Sequence, residues 1–258
     1  MNSNSYFEAH PETRPRVLAH RGLTFDGSRQ VFDENTLEAF GRANEVGADF
    51  LESDIHVTKD MVPVLYHDPD LKRLTGKKTL VSALSLFELQ QIKLPFGGTI
   101  PTLEQALGAF PTSKFNLDLK TKFAETVGIN TIVKLGAQKR VLITSFSDKS
   151  RLRALAMSPT PLASSAGSSR VAKSYISARL GLESSVRNLL GDVAAIQIPT
   201  SRYGLDLTHP SFLEKVLPLG VEVHFWTIND VAQMRELFAI GAHGIVTDRA
   251  DLAISAFS

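Results

Sequence analysis

Two histidines and a set of carboxylates hold the chemistry that this sequence offers. His20, followed by Arg21 and Gly22, stands just past the apolar run Arg16–Ala19, and His67, followed by Asp68, ends the run Val62–Tyr66. Imidazoles titrate near neutrality, so one can accept a proton while the other donates one. Alone, each is as readily a structural side chain. Glu52 and Asp54 lie two apart in the run Phe50–Ile55. On a strand that spacing puts both on one face. Buried like charges raise each other's pKa unless a cation lies between them. Hard oxygen ligands at this spacing suit Mg²⁺ or Ca²⁺, the alternative being an outward, solvated pair. The same period in Phe115–Lys120 gathers Asn116, Asp118 and Lys120 and turns Leu117 and Leu119 toward covering helices. Asp118 would complete a three-carboxylate set for one divalent ion. Arg21 and Lys120 add positive charge. Carboxylates, cations, a metal and two imidazoles at one mouth are what an anionic phosphoryl group requires. Asp68 or a backbone carbonyl would fix the tautomer of His67.

Trp226, the one tryptophan of the chain, ends the run Glu222–Trp226 and shares a face with Glu222 and His224. It is expected to form an apolar wall orienting the alcohol portion of a substrate, with His224 structural and one layer deeper. His10, His56, His209 and His243 show no convergent partners and are expected to be structural.

The elements that must position these groups follow from hydrophobic patterning. Strand-like runs at Arg16–Ala19, Phe50–Ile55, Val62–Tyr66, Phe115–Leu119, Val141–Ser145, Leu162–Ser165, Ala194–Ile198, Glu222–Trp226 and Gly244–Val246 alternate with helical patterns. The latter cover Thr36–Val46, Leu84–Ile92, Leu103–Phe110, Glu125–Leu135, Lys149–Met157, Val171–Leu180, Pro210–Leu217 and Ala232–Ile240. Such repetition implies parallel pairing through right-handed crossovers. This is one strand more than a barrel needs, and Val62–Tyr66 follows its predecessor too closely for a helical crossover. It is therefore expected within the second βα connection. A doubly wound open sheet competes, but no GxGxxG or GxxxxGK[ST] loop is present. A single (β/α)₈ TIM barrel over 16–258 is the expected fold, with its site where the strand C-termini meet. Residues 1–15 are expected to form a flexible N-terminal arm, and Ser164–Ser169 a flexible βα loop.

Composition narrows the function classes. The 258 residues are 43% hydrophobic and 21% charged, with a formal net charge of +1 and no cysteine. Any metal must therefore sit on oxygen or imidazole ligands. No long Lys/Arg run provides a nucleic-acid footprint. No stretch reaches the roughly 20 apolar residues of a membrane span. The first sixteen residues lack the apolar core of a signal peptide, so the expected location is cytoplasmic.

The segments His20-Arg21-Gly22, Glu34-Asn35-Thr36, Gly47–Asp54, Thr58-Lys59-Asp60, Val64–Asp68, Ile100–Glu104, Leu117–Lys120, Trp226–Asn229 and Thr247-Asp248 occur in one order along the chain. In that order they resemble the glycerophosphodiester phosphodiesterase family. The resemblance implies a barrel of the phospholipase-C-like phosphodiesterase type and a role in glycerol and lipid metabolism. It implies catalytic His20 and His67 and one divalent ion, Mg²⁺ or Ca²⁺, on Glu52, Asp54 and Asp118. It further implies phosphate contacts from Arg21 and Lys120, with Glu34 as a partner of Arg21. The expected reaction is hydrolysis of a small-molecule glycerophosphodiester to sn-glycerol 3-phosphate and an alcohol. A lysophospholipase D or sphingomyelinase-D-like enzyme is the alternative, with Phe25, Phe32, Leu94 and Phe96 as its acyl channel. A non-catalytic phosphate-binding barrel would have lost some of these residues. The chain departs from the family pattern at Asp118 (commonly Glu), Met61 (commonly Gly), His243 (commonly Asp) and Ala250 (commonly Pro). The long loop Leu23–Asp33 is expected to reshape substrate access, and Leu71–Thr99 is too short for a large inserted domain.

Overall fold

The computed structural model describes residues 6–7 and 14–257. Eight parallel strands form the barrel. They are β1 (Arg16–His20), β2 (Phe50–Val57), β3 (Lys114–Leu119), β4 (Val141–Thr144), β5 (Ala163–Ser164), β6 (Ala195–Ile198), β7 (Glu222–Phe225) and β8 (Gly244–Thr247). Their spatial order is β5-β4-β3-β2-β1-β8-β7-β6. A parallel bridge from Ser165 to Ala195 joins the ends of this order, with Ala194 N–H donating to the Ser164 carbonyl and Ala166 N–H to that of Ala195. The ring thus closes, as a barrel and not as a doubly wound sheet. Pro63–Leu65 pairs antiparallel with the end of β2 and lies outside the ring, within the second βα connection as expected.

Helices cover the outside: α1 (Leu37–Glu45), α2 (Leu103–Ala109), α3 (Lys122–Lys134), α4 (Asp148–Ala156), α5 (Ser168–Arg179), α6 (Glu183–Leu190), α7 (Pro210–Val216), α8 (Val231–Ala239) and α9 (Ala250–Phe257). Local chemistry starts several of them. Thr36 accepts from Ala39 N–H, Ser147 from Ser150 N–H and Asp230 from Gln233 N–H, while Thr102 and Gln105 cap each other reciprocally. The patterning misses α6 and α9. In α6 Val186 and Leu190 are buried at helical spacing, and no side chain caps the first turn.

The core between sheet and helices is continuous, from Val17, Phe40 and Leu51 round to Phe212, Val223 and Ile245. A second cluster of Val64, Tyr66, Leu71, Val81, Leu89, Leu94 and Ile100 secures the Leu71–Thr99 connection against the barrel. Inside the ring, Leu18, Phe50, Leu142 and Val246 pack together with Tyr6 and Phe7. The expectation of a free arm over 1–15 thus falls mainly outside the described residues, and Tyr6 within it is only 1% exposed. Beside this apolar layer runs a polar column. Arg16 pairs with Glu222 at 2.9 Å, Glu222 with His224 at 2.8 Å, and Gln197 lies 3.3 Å from His224 and 3.2 Å from Asn116. His224 is fully buried and structural, as its depth on β7 implied.

Ser164–Ser169 is not the expected loose loop. Ser164 ends β5, Ser168 opens α5, and a Cβ on Gly167 would meet Asp148 N at 2.7 Å. The turn is short because two elements abut there. No helix among the described residues is long and apolar enough to cross a membrane.

Met61 occupies the left-handed region at φ 62° in the turn between β2 and Pro63–Leu65, and is 44% exposed. That conformation costs a non-glycine residue about 1–2 kcal/mol, and the exposed side chain contributes little in return. Met61→Gly is expected to stabilise the fold by about 1 kcal/mol after glycine's greater unfolded entropy is included. Thermal unfolding should show a rise of roughly 2–4 °C.

Candidate active site

The mouth of the barrel is built by strand register. His20 lies level with Glu52, Glu52 with Asn116, and Asp54 with Asp118. The alternation expected for β2 and β3 therefore holds, and all three carboxylates reach one cavity of about 520 Å³. His20, Arg21, His67, Asn116, Lys120 and Trp226 line the same cavity. Arg21 adopts φ 58°, and its N–H donates to the carbonyl of Glu52 at 3.0 Å and to Glu52 Oε2 at 3.1 Å. Gly22 follows at φ 85°, where a Cβ would lie 2.7 Å from the Ala39 backbone, so only glycine lets the β1–α1 turn close over the helix.

The electrostatics centre on Glu52, Asp54 and Asp118. Burial, then the charge of Asp54, pushes the Glu52 carboxyl up to about 7. Burial also raises Asp118. Lys120 Nζ stands 2.7 Å from Asp54 Oδ1 and 2.7 Å from Asp118 Oδ2. Burial works against its charge, but those two carboxylates more than offset it and hold the ammonium protonated. The outer oxygens, Asp54 Oδ2 and Asp118 Oδ1, are buried without a hydrogen-bond partner. Among the described residues no three acidic or imidazole groups already surround a common point. The three expected carboxylates share the cavity, with an ammonium bridging two of them. Their all-oxygen chemistry, two buried oxygens without a hydrogen bond and a carboxyl raised by burial and like charge fit a hard divalent cation.

Each histidine is held by a carboxylate at Nδ1. His20 Nδ1 lies 2.6 Å from Asp248 Oδ1, and Asn229 fixes that aspartate by donating from Nδ2 to Asp248 Oδ2 at 2.8 Å and accepting from Asp248 N–H at 2.9 Å. Burial alone would lower the His20 pKa, but the hydrogen bond to Asp248 and the charge of Glu52 raise it overall. His67 Nδ1 lies 2.7 Å from Asp68 Oδ1, the arrangement expected from their adjacency. With Nδ1 engaged, each ring turns Nε2 away from its carboxylate.

An arch of charges joins the two sides. Arg21 NH1 donates to Glu34 Oε1 at 3.0 Å, so Glu34 is the partner of Arg21 that the resemblance implied. Arg73 donates to Glu34 at 2.6 and 2.9 Å and, through Nε, to Asp68 Oδ2 at 2.6 Å. Despite burial, these cations hold Glu34 below the usual carboxylate range, and His67 and Arg73 do the same for Asp68. Sequence reasoning missed Arg73, because it reaches the site from the short helix Lys72–Thr75. It also missed His56. That residue continues the alternation Glu52, Asp54, His56, and its Nε2 lies 3.1 Å from the carbonyl of His67, bracing that loop. Period two extended by one step would have found it.

Trp226 lines the cavity, as expected, and meets Phe146 edge to face at 6.3 Å. Val171, Ala172, Tyr175, Leu205 and Leu207 continue the apolar wall. The channel expected from Phe25, Phe32, Leu94 and Phe96 is not there. None of the four lines the cavity; Phe25 packs beneath Arg249, Leu94 is buried in the small cluster, and Phe96 is 48% exposed. The long Leu23–Asp33 loop likewise contributes no lining residue.

A family model described as the glycerophosphoryl diester phosphodiesterase family matches residues 20–252. A protein of Mycobacterium tuberculosis named probable glycerophosphodiester phosphodiesterase 2 is 33% identical over 92% of this chain and 88% of its own. A rat protein named lysophospholipase D is 39% identical over 41% of this chain and 36% of its own. The solved structure of an Oleispira antarctica phosphodiesterase in complex with the product sn-glycerol-3-phosphate superposes with a TM-score of 0.74. It is 26% identical and covers 94% of this chain and 96% of that one.

Replacing Asp248 by asparagine removes the negative charge that stabilises the His20 imidazolium and leaves only a neutral amide oxygen as acceptor. The His20 pKa is therefore expected to fall, so less of the ring is protonated at neutral pH. NMR titration of the His20 imidazole checks this; an unchanged midpoint would show that Asp248 does not set it.

Proposed function

We propose, from the premise that this chain belongs to the glycerophosphoryl diester phosphodiesterase family, that it hydrolyses glycerophosphodiesters to sn-glycerol 3-phosphate and an alcohol through His20 and His67. The observation that carries this reading is the pair of imidazoles, each pinned at Nδ1 by a carboxylate, at the mouth that also holds Arg21, Lys120 and three acidic side chains. Arg21 and Lys120 grip the phosphoryl oxygens, while Glu34 keeps the Arg21 guanidinium directed. One imidazole takes the proton from the attacking hydroxyl and the other delivers a proton to the departing alkoxide. A P–O bond to the alcohol breaks as one to the nucleophile forms. Glu52, Asp54 and Asp118 would hold one divalent ion, Mg²⁺ or Ca²⁺, supplying positive charge against the developing negative charge on phosphate. Trp226 and Phe146 shield the reacting bond from one side and orient the alcohol.

The apolar wall of Val171, Tyr175, Leu205 and Leu207 favours a second reading, in which a lysophospholipid places its acyl chain there. The family relatives named lysophospholipase D accord with it.

Release of sn-glycerol 3-phosphate from glycerophosphoglycerol, with Mg²⁺ or Ca²⁺ supplied, is the direct assay. EDTA should abolish it and added metal restore it. His20→Ala and His67→Ala should each lower kcat about 10²–10⁴-fold, the usual weight of a general acid or base. Undiminished turnover in either variant would remove that histidine from the mechanism. Lysophosphatidylcholine in a parallel arm separates the second reading. Arg73→Met, which leaves Asp68 with one partner, should lower kcat by about tenfold with a smaller change in KM. In an Asp68→Asn background the same substitution should add little, and a full additional loss there would show that Arg73 does not act through Asp68.

A further inference from the structure

The cavity is electrically lopsided. All its acidic groups, Glu52, Asp54 and Asp118, lie on β2 and β3, and the two cations there are already paired, Arg21 with Glu34 and Lys120 with Asp54 and Asp118. Arg202, on the hairpin Ser201–Arg202/Leu205–Asp206 after β6, also lines the cavity, beside Phe146. Its guanidinium carbon lies 6.0 Å from the ring centre of Phe146 and 5.2 Å from that of Tyr203. It forms no ion pair among the described residues. The hydroxyl residues Ser145, Ser165, Ser168 and Ser169 lie on the same cavity lining, with no acidic residue among them.

A guanidinium held over aromatic faces keeps its N–H groups for a planar or tetrahedral anion. The same aromatic wall is poorly disposed toward a quaternary ammonium. Phe146 already has Lys120 Nζ at 6.0 Å as well as Arg202, so a third cation at that ring would meet two fixed positive charges. The cavity of about 520 Å³ extends well beyond the groups that would hold one phosphodiester.

We propose that Arg202 and the hydroxyl-lined β4–β6 side of the cavity form a second anion subsite, selecting glycerophosphodiesters whose alcohol carries a further phosphoryl group. This deepens the hydrolytic reading and rests on it. The scissile phosphate sits at Arg21 and Lys120, and the terminal phosphoryl group meets Arg202 across the apolar wall. Substrates with a cationic alcohol are the poorest fit.

The test uses a matched pair, glycerophosphoglycerol and the same molecule phosphorylated on its terminal hydroxyl. Calorimetric binding to the full-length His67→Ala protein with Mg²⁺ reads the subsite without turnover. The phosphorylated member should bind at least tenfold more tightly. Arg202→Met in the same background should bring the ratio near one, Arg202→Lys should keep part of it, and Arg202→Glu should invert it. No preference in the parent, or a preference that survives Arg202→Met, overturns the proposal; in the latter case the extra phosphate is read at Arg21 and Lys120. The hydrolytic reading fails separately, if wild-type protein with metal releases sn-glycerol 3-phosphate from neither compound.

Discussion

The structure depends on a crowding of like charge that strand register imposes. Asp54 and Asp118 stand level on neighbouring parallel strands, Glu52 stands one alternation below, and all three are nearly buried. Unneutralised carboxylates this close and this dry would cost several kcal/mol. Lys120 offsets two of them from its place two residues beyond Asp118, at 2.7 Å from each. Arg21 Nε adds a longer contact of 3.8 Å to Asp54 Oδ2, and what remains, a raised Glu52 and two buried oxygens without a hydrogen bond, favours further positive charge at the barrel mouth. In the proposed hydrolytic reading a divalent ion would supply it, and an anionic substrate would then become tolerable beside three acidic groups.

Around that centre the protein fixes His20 and His67 by one device used twice. Asp248 holds His20 from β8, and Asp68 holds His67 from the second βα connection, each at Nδ1. Both aspartates are themselves fixed, one by the side-chain amide of Asn229, which donates to its carboxylate and accepts from its backbone N–H, the other by Arg73. Arg73 also reaches Glu34, and through it Arg21, so the orientations of Arg21 and of His67 share one set of contacts. The barrel supplies distance control for this arrangement. The polar column from Arg16 to Asn116 and the apolar packing around Phe50 fill the interior beneath the site, so the strand ends hold a fixed ring for its groups.

Strand alternation made much of this legible before any fold was known. Period two put Glu52 with Asp54 and Asn116 with Asp118 and Lys120, and the structure keeps each set on one face. Continued by one step of two residues it would have placed His56 on the same face of β2. The acyl channel was misplaced for a different reason. Phe25, Phe32 and Phe96 are aromatic and lie near site motifs in the chain, but their loops fold outside the mouth, whereas the actual apolar wall comes from α5 and the hairpin after β6. The SSAGSS segment looked loose because its composition is that of a linker. It is tight because Gly167 lies against Asp148.

The sequence by itself determined the order of elements, the faces of the strands and the types of residue at their C-terminal ends, because these are local consequences of alternation and of capping. It also held enough motif to identify the family. Closure of the ring decided what local pattern cannot. It paired Asp248 with His20 across 228 positions, stretched Arg73 between Glu34 and Asp68, and set Arg202 over Phe146 and Tyr203 on the cavity lining. Such contacts depend on where the last strand meets the first, and no periodicity along a chain encodes the distance between its ends.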